Sequence, residues 1–369
     1  MQLPLAAILM GFFVAFLATP FVRKLAFKCG AIDSPDERKV HKRAMPRMGG
    51  LAIYISFIAV VLLTQETTPF IKGLLLSGSL IVLLGIADDI RGISPRLKLA
   101  GQILAALVVV SFGLEVRSLT NPFAASDMIA LGVLTIPLTV LWLISVTNAV
   151  NLIDGLDGLA GGITTIALLT IAATVWIEIT KTGEAAPGQR EAVILALILA
   201  AAVLGFLPFN FNPARIFLGD TGSMFLGFNL AVLSVMGLAK GPTFISVIIP
   251  VVILGIPLLD TTFAVVRRFL GNRPIMQPDK EHLHHRLMEI GLNHKQTVLC
   301  IYAISLVLGM SAIVMTLISP KQAVLLLAAL STTIIIAANK LGVANTGRHA
   351  PYIPRSERTG KHHHRTSRM

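Results

Sequence analysis

Apolar runs near or above the length of a bilayer crossing recur from one end of this chain to the other. A transmembrane helix needs about 20 mostly apolar residues. Only 14% of the residues are charged, whereas soluble domains have about 25%. The pattern predicts an all-α, polytopic integral membrane helical bundle with about 11 transmembrane helices. The predicted spans are 3–22, 48–64, 71–87, 99–114, 128–147, 159–178, 191–208, 221–239, 243–266, 297–318 and 322–339.

No long polar stretch remains to fold separately, so residues 1–340 are predicted to form a single transmembrane domain. Residues 341–369 are basic and lack an apolar face, which predicts a disordered cytoplasmic tail near the lipid surface. Its three consecutive histidines, His362–His364, are better explained by a solvated tail than by a metal site. The apolar N-terminus is interpreted as the first span rather than a cleaved signal peptide.

Basic residues divide unequally between the two faces that these spans define. One face receives only Lys72, Arg117, Lys181, Arg190, Lys240 and Lys321 of the 31 Lys and Arg residues. Because Lys and Arg concentrate in cytoplasmic loops, the other face is predicted to be cytoplasmic, with the N-terminus outside and the C-terminus inside. Spans ten and eleven, joined by a short turn at 319–321, form either a helical hairpin or a re-entrant element.

The net charge of +12 fits these loops and anionic lipid headgroups better than nucleic-acid binding. Cys29 and Cys300 are far apart and lack metal-type spacing, which argues against a disulfide framework or a zinc site.

Two adjacent carboxylates, Asp88 and Asp89, end the third span. Neighbouring carboxylates at a membrane boundary repel each other and resist desolvation, so a divalent cation or a cationic substrate would relieve them. Neutralisation by Arg91, Arg96 and Lys98 is the alternative.

Four polar residues spaced by three follow the fifth span: Asn148, Asn151, Asp154 and Asp157. On a helix they would form one stripe, and the glycines that follow would allow close approach of a ligand. A polar loop that ends the helix is the alternative.

A third acidic segment precedes the eighth span, where Asp220 is flanked by glycines and follows Asn210. Such a turn suits a phosphate or a metal, although Asp220 could simply cap a helix.

A basic loop follows the ninth span and contains Arg267, Arg268, Arg273, Lys280, His282, His284 and His285. Without a cysteine or clear carboxylate partner it suits an anion such as a pyrophosphate better than a transition metal. A basic surface loop is the alternative. Asp260, near the inner end of the ninth span, is interpreted as a packing or site-supporting residue rather than a transport-pathway residue.

Four such clusters on one face indicate a single site. Carboxylates without cysteine favour a hard cation, Mg²⁺ or Mn²⁺, and a hard cation beside an Arg/His loop is suited to phosphoryl transfer. A secondary transporter is the competing hypothesis, but it would place its acids near the bilayer midplane.

Five segments then suggest a family: KRAMPRMGG (42–50), DDIRGISPRLK, NAVNLIDGLDGLAGG, FNFNPARIFLGDTGS and PDKEHLHHRL. In this order they resemble the polyprenyl-phosphate N-acetylhexosamine-1-phosphate transferases, a superfamily that includes the phospho-N-acetylmuramoyl-pentapeptide transferases. The resemblance covers residues 1–320. It implies that a polyprenyl phosphate attacks the β-phosphorus of a UDP-amino sugar and that UMP leaves.

The resemblance also implies roles for residues. Asp220 would be a Mg²⁺ ligand with support from Asp89, and Asp88 would orient the lipid phosphate or accept its proton. The uridine diphosphate would be held by Asn151, Asp154, Asp157 and Asn210. The phosphates would be contacted by Lys42 and Lys98. The sugar diphosphate would be covered by His282, His284 and His285. Asn148 and Arg268, from the polar stripe and the basic loop, complete the candidate substrate-binding set.

The order His-Leu-His-His-Arg and the eleventh span resemble the UDP-N-acetylglucosamine (WecA/TagO) branch rather than the pentapeptide enzymes, and KVHKRAMPRMGG resembles its Gram-positive members. That branch implies transfer of N-acetylglucosamine-1-phosphate to undecaprenyl phosphate. The reaction is the first membrane step of teichoic acid, O-antigen or a related surface polymer, on the cytoplasmic face of the bacterial plasma membrane. The pentapeptide transferase activity is the alternative within the family, and a homodimer is an alternative to a monomer.

Overall fold

The structure is a computed structural model that describes residues 4–33, 44–116, 118–120, 128–238, 244–270 and 282–340. Lys42, Arg273, Lys280 and the predicted tail 341–369 lie outside these residues. The helices are α1 (Leu5–Cys29), α2 (Gly50–Thr64), α3 (Pro69–Arg91), α4 (Pro95–Ser111), α5 (Thr135–Ile153), α6 (Leu159–Thr182), α7 (Gln189–Asn210), α8 (Gly219–Leu238), α9 (Phe244–Ile253), α10 (Gly255–Leu270), α11 (Leu283–Glu289), α12 (His294–Leu317) and α13 (Pro320–Lys340).

Two short antiparallel hairpins accompany the helices. β1 (Ile32–Asp33) pairs with β2 (Met45–Pro46), and β3 (Ser118–Thr120) pairs with β4 (Met128–Ala130). The first hairpin lies between α1 and α2, and the second lies between α4 and α5.

Several helix limits follow from local sequence. Thr68 and Ser94 are N-caps that accept hydrogen bonds from backbone N–H groups, and each is followed by proline at the first helical position. Asn293 opens α12 with a reciprocal capping box to Gln296.

Among the described residues, seven helices are long and apolar enough to cross a membrane: α1, α3, α5 with its preceding turn, α6, α7, α12 and α13. The prediction of an all-α polytopic membrane protein is confirmed. The number of crossings and the sides of the termini stay predictions, and the apolar helix α2, with 15 residues, is shorter than a full span.

Two predicted spans differ from the observed helices. The fifth was expected to begin at residue 128, but 128–130 form β4 and α5 begins at Thr135. The ninth is broken at Leu254 into α9 and α10. Pro257 lacks the N–H that would bond to the carbonyl four residues earlier, which favours an interruption at this point.

The helices pack through small residues, as membrane bundles do. A Cβ on Gly205 of α7 would lie 2.2 Å from the backbone oxygen of Phe12 in α1. A Cβ on Gly85 of α3 would lie 2.4 Å from the Cα of Thr221 in α8. The contact at Gly85 brings the C-terminal end of α3 against the N-terminal end of α8, where two of the acidic segments meet.

Candidate active site

A cavity of about 590 Å³ opens at the end of the bundle where α5 and α7 end and α6, α8 and α12 begin. Seven of the predicted site residues line it: Asp89, Asn151, Asp154, Asn210, Asp157, Asp220 and His285. Asp33, Arg47, Asn212, Phe217 and His294 also line it and were not predicted. Side chains from segments far apart in the chain therefore share one pocket.

The ammonium of Lys98 lies among oxygen atoms from three different helices. Its Nζ is 3.3 Å from Asp88 Oδ2 and 3.2 Å from Asn151 Oδ1, and it forms an ion pair with Asp220. The amide of Asn151 in turn donates to Asp220 Oδ1 at 3.0 Å. Asp88 is oriented by the backbone N–H of Ile93, 2.7 Å from its Oδ1. Neutralisation by Lys98, the alternative considered for the acids of the third span, is present for Asp88, and it extends to Asp220.

Asp89 binds the first turn of α8. Its carboxylate accepts hydrogen bonds from the backbone N–H of Asp220 at 3.0 Å, the backbone N–H of Thr221 at 3.0 Å and the Thr221 hydroxyl at 2.6 Å. Gly219, the first residue of α8, has φ +73, and a Cβ there would lie 2.5 Å from Asp89 Oδ2. Asp89 thus satisfies N–H groups that are otherwise unpaired at a helix start, and it fixes the position of Asp220.

The polar stripe that was considered for 148–157 does not continue on one helix. α5 ends at Ile153, so Asp154 and Asp157 lie in the turn before α6, and Gly158 in that turn adopts φ 80. Asn148 remains on α5, where its amide donates to Gln102 Oε1 at 2.7 Å, and it is not among the residues that line the cavity.

Asp157 and Asn210 hold together the two loops that border the cavity. Asp157 Oδ2 accepts from the Asn212 amide at 3.0 Å and from the backbone N–H of Ala214 at 3.1 Å. The buried Asn210 accepts from the backbone N–H of Gly158 at 3.1 Å and donates to the Ile216 carbonyl at 3.0 Å. Both side chains therefore connect the α5–α6 turn to the α7–α8 loop.

Asp154 has a different environment, because it projects among other acids. Burial raises the pKa of its carboxyl well above the ordinary value of 3.8, and the negative charges of Asp220 and Asp89 raise it further. The positive charge of Arg47 acts in the opposite direction on this pKa. Asp154 therefore keeps its proton to a higher pH than an exposed carboxyl does.

The β1–β2 hairpin forms one wall of the cavity. Arg47 forms an ion pair with the buried Asp33, and the backbone N–H of Phe217 donates to the Pro46 carbonyl at 2.9 Å. Arg47 lies within the segment KRAMPRMGG, but nothing in that segment distinguishes it from other basic loop residues. Lys42, the residue predicted from this segment, lies outside the described residues.

The histidine segment is attached to α10 through Asp260. Asp260 Oδ2 lies 2.8 Å from His282 Nδ1, and Oδ1 accepts from the backbone N–H of Leu283 at 2.8 Å. The side chain is 4% exposed. These contacts agree with a site-supporting role for Asp260.

The histidines differ in their environments. His284 packs on the α5–α6 turn, where a Cβ on Gly155 would lie 2.7 Å from its Nε2. Burial lowers the pKa of His284 to about 3, with a smaller contribution from His285, so the ring is neutral at physiological pH. His285 lines the cavity together with His294, whose buried Nε2 has no hydrogen-bond partner in the described part of the chain. Arg268 is buried and does not line the cavity.

Oxygen atoms dominate the acidic part of the site. Within the described residues, no group of three or more His, Cys, Asp or Glu side chains is arranged to hold a metal ion. Mg²⁺ needs fewer protein ligands, because it keeps several waters and is bound through one or two carboxylates together with substrate phosphates.

The chain is thus a polytopic helical bundle with carboxylates and histidines lining one cavity and Lys98 paired with Asp220 beside it, an arrangement suited to an enzyme that acts on phosphorylated substrates in a membrane. Residues 71–238 match the model of glycosyl transferase family 4. The chain is 44% identical over 311 residues to the "probable undecaprenyl-phosphate N-acetylglucosaminyl 1-phosphate transferase" of Bacillus subtilis, covering 84% of each chain. The chain belongs to glycosyl transferase family 4, whose activity is a phosphotransfer.

Other relatives carry related names. The decaprenyl-phosphate N-acetylglucosaminephosphotransferase of Mycolicibacterium smegmatis is 39% identical over 78% of this chain and 76% of its own length. The undecaprenyl-phosphate alpha-N-acetylglucosaminyl 1-phosphate transferase of Escherichia coli K12 is 29% identical over 76% of this chain and 75% of its own length. The family resemblance inferred from the five segments is confirmed.

Proposed function

We propose that this protein transfers N-acetylglucosamine-1-phosphate from UDP-N-acetylglucosamine to undecaprenyl phosphate and releases UMP. The observation that carries the proposal is the meeting of Asp88, Asp220 and Asn151 around Lys98, at the border of a cavity at one end of a membrane bundle. The names of the relatives support the sugar and the lipid. A pentapeptide-sugar donor and a transporter are the alternatives to be tested.

The acidic residues fit a magnesium ion. The oxygens of Asp88, Asp220 and Asn151 already converge on a cationic group, the Lys98 ammonium, and Mg²⁺ prefers such oxygen donors. We propose Asp220 as its protein ligand and Asp89 as the residue that positions Asp220 or supports the metal. When bound, Mg²⁺ would neutralise charge on the diphosphate and on the departing UMP. Mn²⁺ has the same ligand preference.

Asp88 and Lys98 are assigned to the lipid phosphate. A phosphate monoester has its second pKa at about 6, so it is largely dianionic at neutral pH and hardly needs a strong base. The main barrier is repulsion between two anionic phosphates, which a positioned ammonium lowers. Lys98 therefore neutralises negative charge on the lipid phosphate. Asp88 holds the Lys98 ammonium in place, orients the lipid phosphate and accepts a proton from any lipid phosphate that is still a monoanion.

The cavity itself is assigned to the nucleotide sugar. We assign the uridine part to the space lined by Asp154, Asp157, Asn151 and Asn210, where Phe217 would offer an aromatic surface for the base. The diphosphate would be held by basic side chains and imidazoles that also line the cavity. We assign this contact to Arg47, His285 and His294, with His284 and His282 supporting them from behind.

The membrane face also belongs to the proposal. The cavity lies at the end of the bundle that the Lys and Arg distribution assigns to the cytoplasm, and UDP-sugars are cytosolic. The proposed role is the first membrane step of a bacterial surface polymer. A homodimer and the tail 341–369 as a separate cytoplasmic segment stay sequence-based predictions.

The test is UMP release by the purified full-length protein in detergent, with undecaprenyl phosphate, Mg²⁺ and either UDP-N-acetylglucosamine or UDP-N-acetylmuramoyl-pentapeptide. We expect turnover with the first donor only and none after chelation of the metal. Asp220→Ala and Asp88→Asn should lose nearly all turnover while they keep the parent melting temperature. Turnover within a few-fold of the parent would remove that residue from the chemistry, and no UMP release with either donor would refute the transferase assignment.

A further inference from the structure

A second cavity, of about 400 Å³, lies on the outer surface of the bundle at the C-terminal end of α1. Its lining residues are Pro20, Arg23, Lys24, Phe27, Phe209 and Arg215, which we call the basic groove. No residue is shared with the lining of the catalytic cavity. The groove is therefore a separate feature, for which the proposed reaction has no use.

One face of α1 builds the first wall of the basic groove. Pro20, Arg23, Lys24 and Phe27 have the spacing of neighbours on a single helical face. The Arg23 guanidinium lies 5.9 Å from the centre of the Phe27 ring, in a cation–π arrangement that keeps the charge beside an apolar surface.

The second wall comes from the end of α7 and the loop after it. Phe209 packs on α1, with its ring centroid 5.1 Å from that of Phe16. The backbone N–H of Arg215 donates to the Phe209 carbonyl at 2.8 Å. The position of Arg215 opposite α1 is thus set by main-chain structure rather than by a free loop.

The basic groove brings three cationic side chains together. Among the residues that the structure describes, no acidic side chain lines it, and Arg23, Lys24 and Arg215 form no ion pair. Three cations facing one concave space repel each other, so an anion between them is stabilising.

The surroundings indicate that this anion belongs to a lipid. Leu17 and Phe21 on α1 are 62% and 71% exposed, which places an apolar outer surface beside the groove. A helix of 25 residues is about 37 Å long, longer than the roughly 30 Å hydrocarbon core. The last turns of α1 consequently reach the headgroup region, where basic residues meet anionic lipids.

We propose that the basic groove is a binding site for the phosphate headgroup of an anionic phospholipid, with Arg23 and Arg215 contacting the phosphate from opposite walls. Phe27 and Phe209 would cover the glycerol and upper acyl region. The site lies behind the α7–α8 loop, whose residues Asn212 and Ala214 bind Asp157 on the catalytic side.

The test is native mass spectrometry of the full-length protein in detergent, titrated with phosphatidylglycerol or with phosphatidylcholine of the same acyl chains. The groove variant is Arg23→Gln with Arg215→Gln. The matched control is Lys28→Gln with Lys340→Gln, which removes two exposed charges at the ends of α1 and α13. Neither of these two lysines lines the groove.

We expect the groove variant to bind the first phosphatidylglycerol at least about tenfold more weakly than the parent and the control, since each basic residue near an anionic lipid contributes about a factor of five. Phosphatidylcholine should bind equally to all three proteins. A second variant, Lys24→Glu, reverses one exposed charge and should also bind phosphatidylglycerol, but not phosphatidylcholine, more weakly. It tests the proposal even if the double arginine variant does not fold.

Equal phosphatidylglycerol affinity in the groove variants and the control would overturn the proposal. Displacement of the lipid by inorganic phosphate or glycerol phosphate at equal concentration would also overturn it, because the groove would then be a site for soluble anions. The measurement does not depend on turnover, so its outcome is separate from that of the transferase assay.

Discussion

Lys98 is the residue on which the acidic part of the site depends. Its ammonium contacts both Asp88 and Asp220 and also Asn151. Removing it would leave carboxylates facing each other without a counterion, which is unfavourable in a partly buried site. The lysine thus holds together acids that are distant in the chain, and in the proposed mechanism it also neutralises the lipid phosphate.

Replacing Lys98 by Met should lower turnover by at least about a hundredfold, the usual effect of removing one positioned charge-stabilising donor. The measurement is UMP release under saturating substrates. Lys295→Met, which removes an exposed charge from the first turn of α12, is the control and should remain within a few-fold of the parent. A similarly small loss in Lys98→Met would contradict the assignment.

Asp154 gives a prediction about pH. Burial and nearby acids raise the pKa of the Asp154 carboxyl in the folded protein. At a pH between the ordinary and the raised pKa, the folded protein therefore still binds a proton that the unfolded chain has lost. Stability from this residue is present at low pH and is lost as pH rises through the raised pKa. Asp154→Asn mimics the protonated acid and should remove this loss.

The check is the melting temperature of the parent and of Asp154→Asn over a pH series that begins in the ordinary carboxyl range and extends well above it. The parent should lose more stability than the variant as pH rises. Parallel curves would show that Asp154 does not carry the pH dependence.

At the scale of elements, the site depends on short connections rather than on helix interiors. Asp157 and Asn210 join two loops, and Asp89 binds the first turn of α8. Asp260 of α10 connects this helix to the start of α11, because it binds both the ring of His282 and the backbone N–H of Leu283. Each buried acid satisfies backbone donors that would otherwise lack partners.

Asp260→Ala should loosen α11 and raise the KM for the nucleotide sugar by about tenfold, since a hydrogen bond to a charged group contributes about 1.5–3 kcal/mol. kcat should change much less, because Asp260 has no place near the transferred phosphate. Thr262→Ala, an exposed position on α10, is the control in the same steady-state assay. An unchanged KM in Asp260→Ala would show that the histidine segment does not need this anchor.

At the scale of the whole molecule, the catalytic cavity is built mainly by helices that precede α13. In that helix only Ala323 and Ala338 are buried, and it packs on α12. A chain that ends after Ile318 should therefore keep turnover within about threefold of the parent, as expected for changes remote from a site. Loss of activity in a truncated protein that still binds UDP-N-acetylglucosamine would assign α13 a part in the reaction.

Much of the architecture could be predicted because hydropathy is a local property. Each apolar run responds to the bilayer on its own, and Lys and Arg near its ends bias its orientation. An all-α membrane bundle and the family could therefore be inferred from the chain alone. The exact limits of spans five and nine could not, because a strand pair and a proline break changed them.

The partners of individual side chains needed the packed structure. Asp88, Asp220 and the 148–157 segment were recognisable as chemical groups, but the rotation of each helix decides which of them meet. Asn148 faces Gln102 instead of the cavity, and Asp89 binds a helix end. Arg47, Asp33 and His294 were missed because each is an ordinary polar residue in its own segment. They reach the cavity only because the bundle brings the ends of distant segments together.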